Sequence, residues 1–281
     1  MQITELVVYP FKSARGIAVP KARIEAMGLA GDRRMMLTDP DGHFITQREL
    51  PALAGLTAIP GAAYVTLKLD DGREMMVAPP QPDHRQKVAI WRSIVDAAVA
   101  DDSVNAKLSD WFGRPVRLAF IDGESRREAS PEWAGQGTPM GFADGYQILV
   151  TTTGSLAALN ADMEQHGEGA VGMNRFRPNI VLDCDAPWAE DRWAGIEIGG
   201  IQFDFVKPCP RCIMTTQDQK NGSRDGANPM PAMGRIRMSA DRRVPGPLFG
   251  WNAVPRGEGT VQVGDSVTVT GEREVWAIKQ R

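Results

Sequence analysis

Val65-Thr66-Leu67-Lys68-Leu69-Asp70-Asp71-Gly72-Arg73-Glu74-Met75-Met76-Val77 reads as one β-hairpin. Apolar side chains alternate with period two along the first arm, as a half-buried strand requires, and Asp-Asp-Gly supplies a turn before the apolar run 75–77. The same grammar spreads in both directions. Upstream, Leu6-Val7-Val8-Tyr9 is a short strand stopped by Pro10, and segments 34–37 and 43–47 flank the turn Asp39-Pro40-Asp41-Gly42 as another hairpin. Residues 79–82 break regular structure, and 116–121 form a further strand. Later, 147–151, 180–182, 196–198, 202–206 and 213–216 read as strands, with Gly199-Gly200 joining 196–198 to 202–206. Segments 260–263 and 266–269 flank Gly264-Asp265 as a last hairpin. Helical spacing appears twice. Val104, Leu108 and Trp111 follow the capping candidates Asp101, Asp102 and Ser103 and stop at Gly113, and Leu156, Leu159 and Met163 follow Ser155. Many short strands with tight turns and few helices predict a mainly β, α+β chain, built as barrels or sandwiches rather than a doubly wound sheet.

The 281 residues, 42% apolar and 24% charged, match an ordinary globular composition and suffice for two modest domains. The polar, Gly- and Pro-rich stretch 122–141 predicts a loop or lid and marks the boundary between units at 1–120 and 121–281. Thirty-two basic against 35 acidic residues give a net charge of -3. A general polyanion-binding surface is not indicated, so no nucleic-acid partner is expected, although basic residues can still gather locally. No run approaches the ~20 apolar residues of a membrane span. The start MQITELVVYPFKSARG lacks the basic-then-apolar pattern of a secretory signal. The expectation is a cytoplasmic protein without a membrane partner.

Cysteine occurs only at 184, 209 and 212, and histidine only at 43, 84 and 166. So sparse and odd a set argues against a disulfide scaffold and cannot supply a four-thiolate metal site. The most distinctive segment is Val206-Lys207-Pro208-Cys209-Pro210-Arg211-Cys212-Ile213-Met214-Thr215-Thr216. Its Cys-x-x-Cys pair reads as a redox couple, as a single thiolate for a soft metal, or as two structural cysteines in a turn. The β-branched residues after Cys212 predict that the pair leads into a strand rather than a helix, against a thioredoxin-like arrangement. Strand alternation sends Cys209 to the opposite face from Cys212, into a structural role. Asn174-Arg175-Phe176-Arg177-Pro178-Asn179 places bidentate donors at a strand entrance, suited to an anionic or heterocyclic ligand. Lys12-Ser13 and Gly31-Asp32-Arg33 add two cations and a hydroxyl. If the two halves face each other, Lys12, Ser13, Arg33, Arg177 and Asn179 form a phosphate and polar-ring cradle that Cys212 completes.

Seven ordered blocks carry a resemblance over nearly the whole chain: LVVYPFKSARGI, MGLAGDRRMMLTDPDGHFITQRELP, ADGYQILV, NRFRPNIVLD, APWAEDRWAGIEIGG, VKPCPRCIMTTQD, and PLFGWN followed by GTVQVGDSV. The chain resembles the MOSC superfamily, more narrowly the branch of amidoxime reducing components and their bacterial relatives. That resemblance implies an N-terminal β-barrel-like domain followed by a MOSC β-barrel domain, with a molybdenum cofactor (Mo-molybdopterin) held between them. It implies Cys212 as catalytic metal ligand, Lys12 and Ser13 as the phosphate-binding pair, and Arg33 as an additional cation. Arg177 and Asn179 become polar contacts to the pterin or phosphate, and Asp144, Gly145 and Tyr146 the strand entrance that meets the cofactor. The implied reaction is two-electron reduction of N-hydroxylated compounds such as amidoximes, hydroxamic acids or N-hydroxylated nucleobases. Because the chain lacks the four further cysteines of a ferredoxin-like domain, a separate electron-donor protein is expected: a flavodoxin, a ferredoxin, or a cytochrome with its reductase. The alternative is a cofactor carrier or sulfur relay that uses a Cys212 persulfide.

Overall fold

The computed structural model describes residues 1–279. Its largest sheet has eight strands in the order Val267–Glu272, Trp193–Ile198, Ile201–Pro210, Leu248–Pro255, Ile148–Thr152, Ile180–Leu182, Ile3–Val8 and Ile17–Ala18. Neighbours are antiparallel except Ile148–Thr152 and Ile180–Leu182. A parallel pair needs a crossover, and the helix Thr153–Gln165 provides it, opened by the Thr152 hydroxyl accepting from the Ser155 N–H. A four-stranded sheet orders Met35–Thr38, Arg117–Phe120, Ser93–Val99 and Arg85–Ile90, and a three-stranded sheet orders Leu56–Pro60, Val65–Leu69 and Glu74–Val77. In the last of these, Leu67 pairs with Met75 and both are buried, as the period-two reading requires. The helix Asp102–Phe112 ends at Gly113, whose φ of 65° is the left-handed turn that glycine adopts without strain. The molecule is thus mainly β with four α-helices among its described residues.

The two largest apolar cores among the described residues lie against these sheets. One gathers Leu6, Val8, Ile148, Ile180, Phe203 and Trp251, the other Phe11, Ala14, Leu37, Leu67 and Leu118. The chain passes from the first core to the second within a few residues. Pro10 ends the strand Ile3–Val8, and the segment beyond it is clasped by the 33–35 loop through Arg33 N to Tyr9 O (2.6 Å) and Lys12 N to Met35 O (2.8 Å). Early and late chain are also stitched together, since Lys21–Glu25 pairs with Gly259–Gln262.

Four local expectations change. Gly264-Asp265 does not close a hairpin: Gly259–Gln262 pairs with Lys21–Glu25, while Val267–Glu272 pairs with Trp193–Ile198. After Asp39–Gly42 the return arm is no regular strand. It meets the first arm through the isolated bridge of Thr38 with Phe44 and the backbone bonds Asp39 N to His43 O (2.9 Å) and Ile45 N to Leu37 O (2.8 Å), and His43 bridges Ala89 as well. Residues 122–141 are no open lid, since Ser125, Arg127, Ala129, Thr138 and Met140 are buried around the short helix Pro131–Ala134. Finally, Ile213–Thr216 is a single 3-10 turn rather than a strand. The Thr215 and Thr216 hydroxyls donate back to the carbonyls of Cys212 and Ile213, a local bond that competes with strand pairing.

Candidate functional site

Where the chain crosses between the cores, a cleft opens with about 940 Å³ of empty space, its mouth included. The structure brings Lys12, Ser13, Arg33, Asp144, Gly145, Tyr146, Arg177, Asn179 and Cys212 onto its walls. Five cationic side chains (Lys12, Arg33, Arg48, Arg177, Arg211) face one carboxylate, Asp144, in the same lining. In a chain of net charge -3 this is a concentrated field for an anion.

Backbone strain marks the same place. Among the described residues five non-glycine residues have positive φ: Ser13, Arg33, Trp91, Arg177 and Trp188. Four of them, all but Trp188, line this cleft. Each such conformation costs on the order of 1–3 kcal/mol and persists only where the surroundings over-determine it.

Tyr9 organises two of the cations. Arg33 Cζ lies 4.4 Å and Arg177 Cζ 4.3 Å from its ring centroid, so the ring holds two like charges near each other. Burial drives the Tyr9 hydroxyl up to about 12, keeping it protonated at neutral pH. Burial disfavours the Arg33 charge as well, but Asp32 outweighs it through a 2.5 Å ion pair and leaves the guanidinium above its ordinary value. Arg177 has less help. Burial, then the charge of Arg33, pull it down to about 10 against the opposing Tyr9, still cationic at neutral pH. Its Nη1 donates to Gln219 Oε1 at 2.9 Å. Asn179 lines the cleft but spends its amide inside the protein. Its Nδ2 donates to Val7 O and Asp32 Oδ1, while its Oδ1 accepts from Leu149 N and Arg33 Nη1. With all four hydrogen-bonding positions used, it orients Asp32 and Arg33.

Lys12 is 4% exposed, and its Nζ donates to Phe142 O (2.9 Å) and Asp144 Oδ1 (2.5 Å). Burial pulls the ammonium below its ordinary value, and Asp144 offsets part of that. For Asp144 the surrounding protein opposes ionisation, but Lys12, the Trp91 N–H and Arg33 hold the carboxyl well below the usual range. Its side chain stays 75% exposed, so water screens the pair and its net contribution is that of a surface bridge. Arg127 fixes the loop behind Asp144 by donating to Gly141 O (2.6 Å) and Ala143 O (2.7 Å).

Cys212 is exposed, with extended backbone (φ -117°, ψ -178°), and opens the 3-10 turn. Buried Arg175 secures that turn by donating to Thr216 O at 2.8 Å. Cys209 does not point away, as strand alternation predicts, but lines the same cleft. Ile201–Pro210 loses register against Leu248–Pro255 between Phe205 and Lys207 and again between Pro208 and Pro210, and each irregularity resets which face a residue takes. Arg211 donates from Nη1 to Cys209 Sγ (3.0 Å) and from Nη2 to Phe176 O (2.7 Å), tying the cysteine segment to the 174–179 loop.

Sequence reasoning missed Arg48, Trp91, Cys209 and Arg211 as cleft residues, and Tyr9 and Asp32 as the residues that organise Arg33 and Arg177. For Trp91 no turn signal was present, since Trp91-Arg92 carries no Gly, Asn, Asp or Pro. Among the described residues no group of three or more His, Cys, Asp or Glu side chains gathers to hold a metal ion. No helix among them is long and apolar enough to cross a membrane.

Two family models match the chain: the MOSC N-terminal beta barrel domain over residues 1–115 and the MOSC domain over residues 137–268. Mitochondrial amidoxime-reducing component 1 of Homo sapiens is 27% identical over 285 residues, covering 96% of this chain and 83% of that protein. Mitochondrial amidoxime reducing component 2 of Homo sapiens is 29% identical over 283 residues, covering 94% and 82%. Molybdenum cofactor sulfurase of Danio rerio is 28% identical over 242 residues, covering 79% of this chain and 29% of that protein.

Proposed function

Because this chain belongs to the MOSC superfamily, with an N-terminal β-barrel domain followed by a MOSC domain, we propose that it is a molybdenum-cofactor-dependent reductase of N-hydroxylated compounds. One observation carries the reading: an exposed cysteine thiol, Cys212, shares a cleft with five cationic side chains and a single carboxylate. That donor set fits the group. A soft thiolate suits molybdenum, and clustered guanidinium and ammonium groups suit a phosphorylated pterin. Cys212 would ligate the metal, while Lys12, Ser13, Arg33 and Arg177 would hold the phosphate and pterin. The backbone at Asp144, Gly145 and Tyr146 would close the remaining wall, and Asn179 would keep Arg33 in place.

When bound, the cofactor would supply the two-electron redox chemistry. The chain's residues do the rest. Arg33 and Arg177, cationic at neutral pH, neutralise phosphate charge, and the Tyr9 ring fixes their spacing. Buried Lys12 Nζ can hold a proton, with the exposed Asp144 carboxylate as its counter-charge. The overall change is cleavage of the N–O bond with uptake of two electrons and two protons and release of water. The electrons come from a separate donor protein, a flavodoxin, a ferredoxin, or a cytochrome with its reductase. We place the domain boundary at residues 120 and 121, after the strand Arg117–Phe120.

Molybdenum analysis of gently purified protein, with dye-coupled reduction of benzamidoxime, tests the reading. The wild type should carry the metal and turn over, Cys212→Ser should lose turnover by more than about a thousandfold while folding normally, and Cys209→Ser should remain active. Full turnover in Cys212→Ser would overturn the ligand assignment. A second reading, a cofactor carrier or sulfur relay, is favoured by the similarity to molybdenum cofactor sulfurase. A trapped Cys212 persulfide without turnover would establish it instead.

A further inference from the structure

Trp91 is the strained cleft residue that the phosphate-binding assignment leaves without a task. We propose that it forms the aromatic wall of a substrate subsite at the cleft mouth, one that selects planar aromatic or heteroaromatic N-oxygenated compounds over aliphatic ones. This rests on the reductase reading and adds a specificity-determining residue to it.

Three observations carry it. First, Trp91-Arg92 is the two-residue turn between Arg85–Ile90 and Ser93–Val99, where Ile90 pairs with Ser93. Such turns favour Asn, Asp or Gly because their central residues take positive φ. Trp91 has φ 54°, so turn geometry alone does not account for a bulky aromatic ring there. Second, the side chain contributes little to a core, with 49% of it exposed. Third, the exposed ring is nonetheless held in place by three contacts from two separate segments. Phe44 packs at 4.9 Å between centroids with a 57° tilt, Arg48 Cζ sits 5.0 Å from the ring, and Nε1 donates to Asp144 Oδ1 at 3.0 Å. That oxygen is also the one that takes Lys12 Nζ. A strained, oriented and half-open indole lining the cleft that also carries Cys212 has the properties of a preformed stacking platform. Flat rings gain from it; short aliphatic chains do not.

Isothermal titration of the molybdenum-loaded protein with benzamidoxime and with acetamidoxime, across wild type, Trp91→Asn and Trp91→Phe, tests the subsite. Asn accepts positive φ, so that variant separates loss of the ring from loss of the fold, while Phe keeps a flat ring without the N–H to Asp144. Trp91→Asn should weaken benzamidoxime binding about tenfold more than acetamidoxime binding, the scale of one aromatic stacking contact. Trp91→Phe should restore most of that difference, and metal content should stay constant. Equal losses for both ligands, losses that follow metal content, or no restoration by Phe overturn the subsite, as does a wild type that fails to bind benzamidoxime. Selective binding in a protein that never turns over leaves the subsite standing and removes the reductase reading instead.

Discussion

Two charged clusters in this protein are built from similar residues and behave differently. Beneath the helix Thr153–Gln165, Asp191 accepts from Arg237 Nη2 and Trp251 Nε1, and Glu190 accepts from the hydroxyls of Ser155 and Thr152. Asp191 and Arg237 are 2% and 6% exposed, and each answers the other's charge. In the cleft, Lys12, Arg33, Arg48, Arg177 and Arg211 surround one exposed carboxylate, on backbone that is strained at Ser13, Arg33, Trp91 and Arg177. The inner charges answer each other, and the backbone there is strained only at Trp188, whose ring lies 4.3 Å from Arg237 Cζ. Like charges gathered on backbone strained at four positions cost stability, which a bound anion would repay.

Removing a partner should therefore act in opposite ways. Asp191→Ala leaves Arg237 buried without its counter-charge and the Trp251 indole without its acceptor. The expected loss is about 3–5 kcal/mol of unfolding free energy by urea denaturation. A loss below about 1 kcal/mol would mean that the inner cluster is hydrated and that the contrast fails. Arg177→Met in the cleft takes away a guanidinium that burial and Arg33 already disfavour. Its stability should move by less than about 1 kcal/mol in either direction, while the molybdenum retained through purification falls severalfold. A large destabilisation with metal content intact would reassign Arg177 to the fold.

The contrast also explains which features were legible from residue order. The hairpin 65–77 was, because alternation and Asp-Asp-Gly are local and nothing remote competes for its strands. That Lys12, Ser13, Arg33, Arg177 and Cys212 line one cleft was legible as an expectation, because they lie in short contiguous motifs. Gly264-Asp265 has the same turn chemistry as a hairpin, but its flanking strands are claimed by Lys21–Glu25 and Trp193–Ile198, partners far away in the chain. Cys209 was misplaced because register irregularities in Ile201–Pro210 break the alternation on which the reading depended. The Tyr9 sandwich was invisible, since it joins residues from three separate segments, and Trp91 was hidden by a turn whose composition advertises nothing.

The smallest expected effect concerns the inner cluster's second carboxylate. Burial pushes the Glu190 carboxyl above its ordinary value of 4.5, and Asp191 beside it adds to the rise, while Ser155 and Thr152 oppose it. The folded chain then binds this proton more tightly than the unfolded chain does. Its contribution is present in full below the unfolded value and is lost as pH rises through the folded one. Glu190→Gln removes the titration and keeps an acceptor for the two hydroxyls. Urea midpoints followed from about pH 4 to about pH 7 should decline less steeply for the variant than for the wild type, by an amount that reads the shift directly. Parallel profiles would show that Glu190 ionises in the fold as it does in water, and that its two hydroxyl partners suffice to hold the charge.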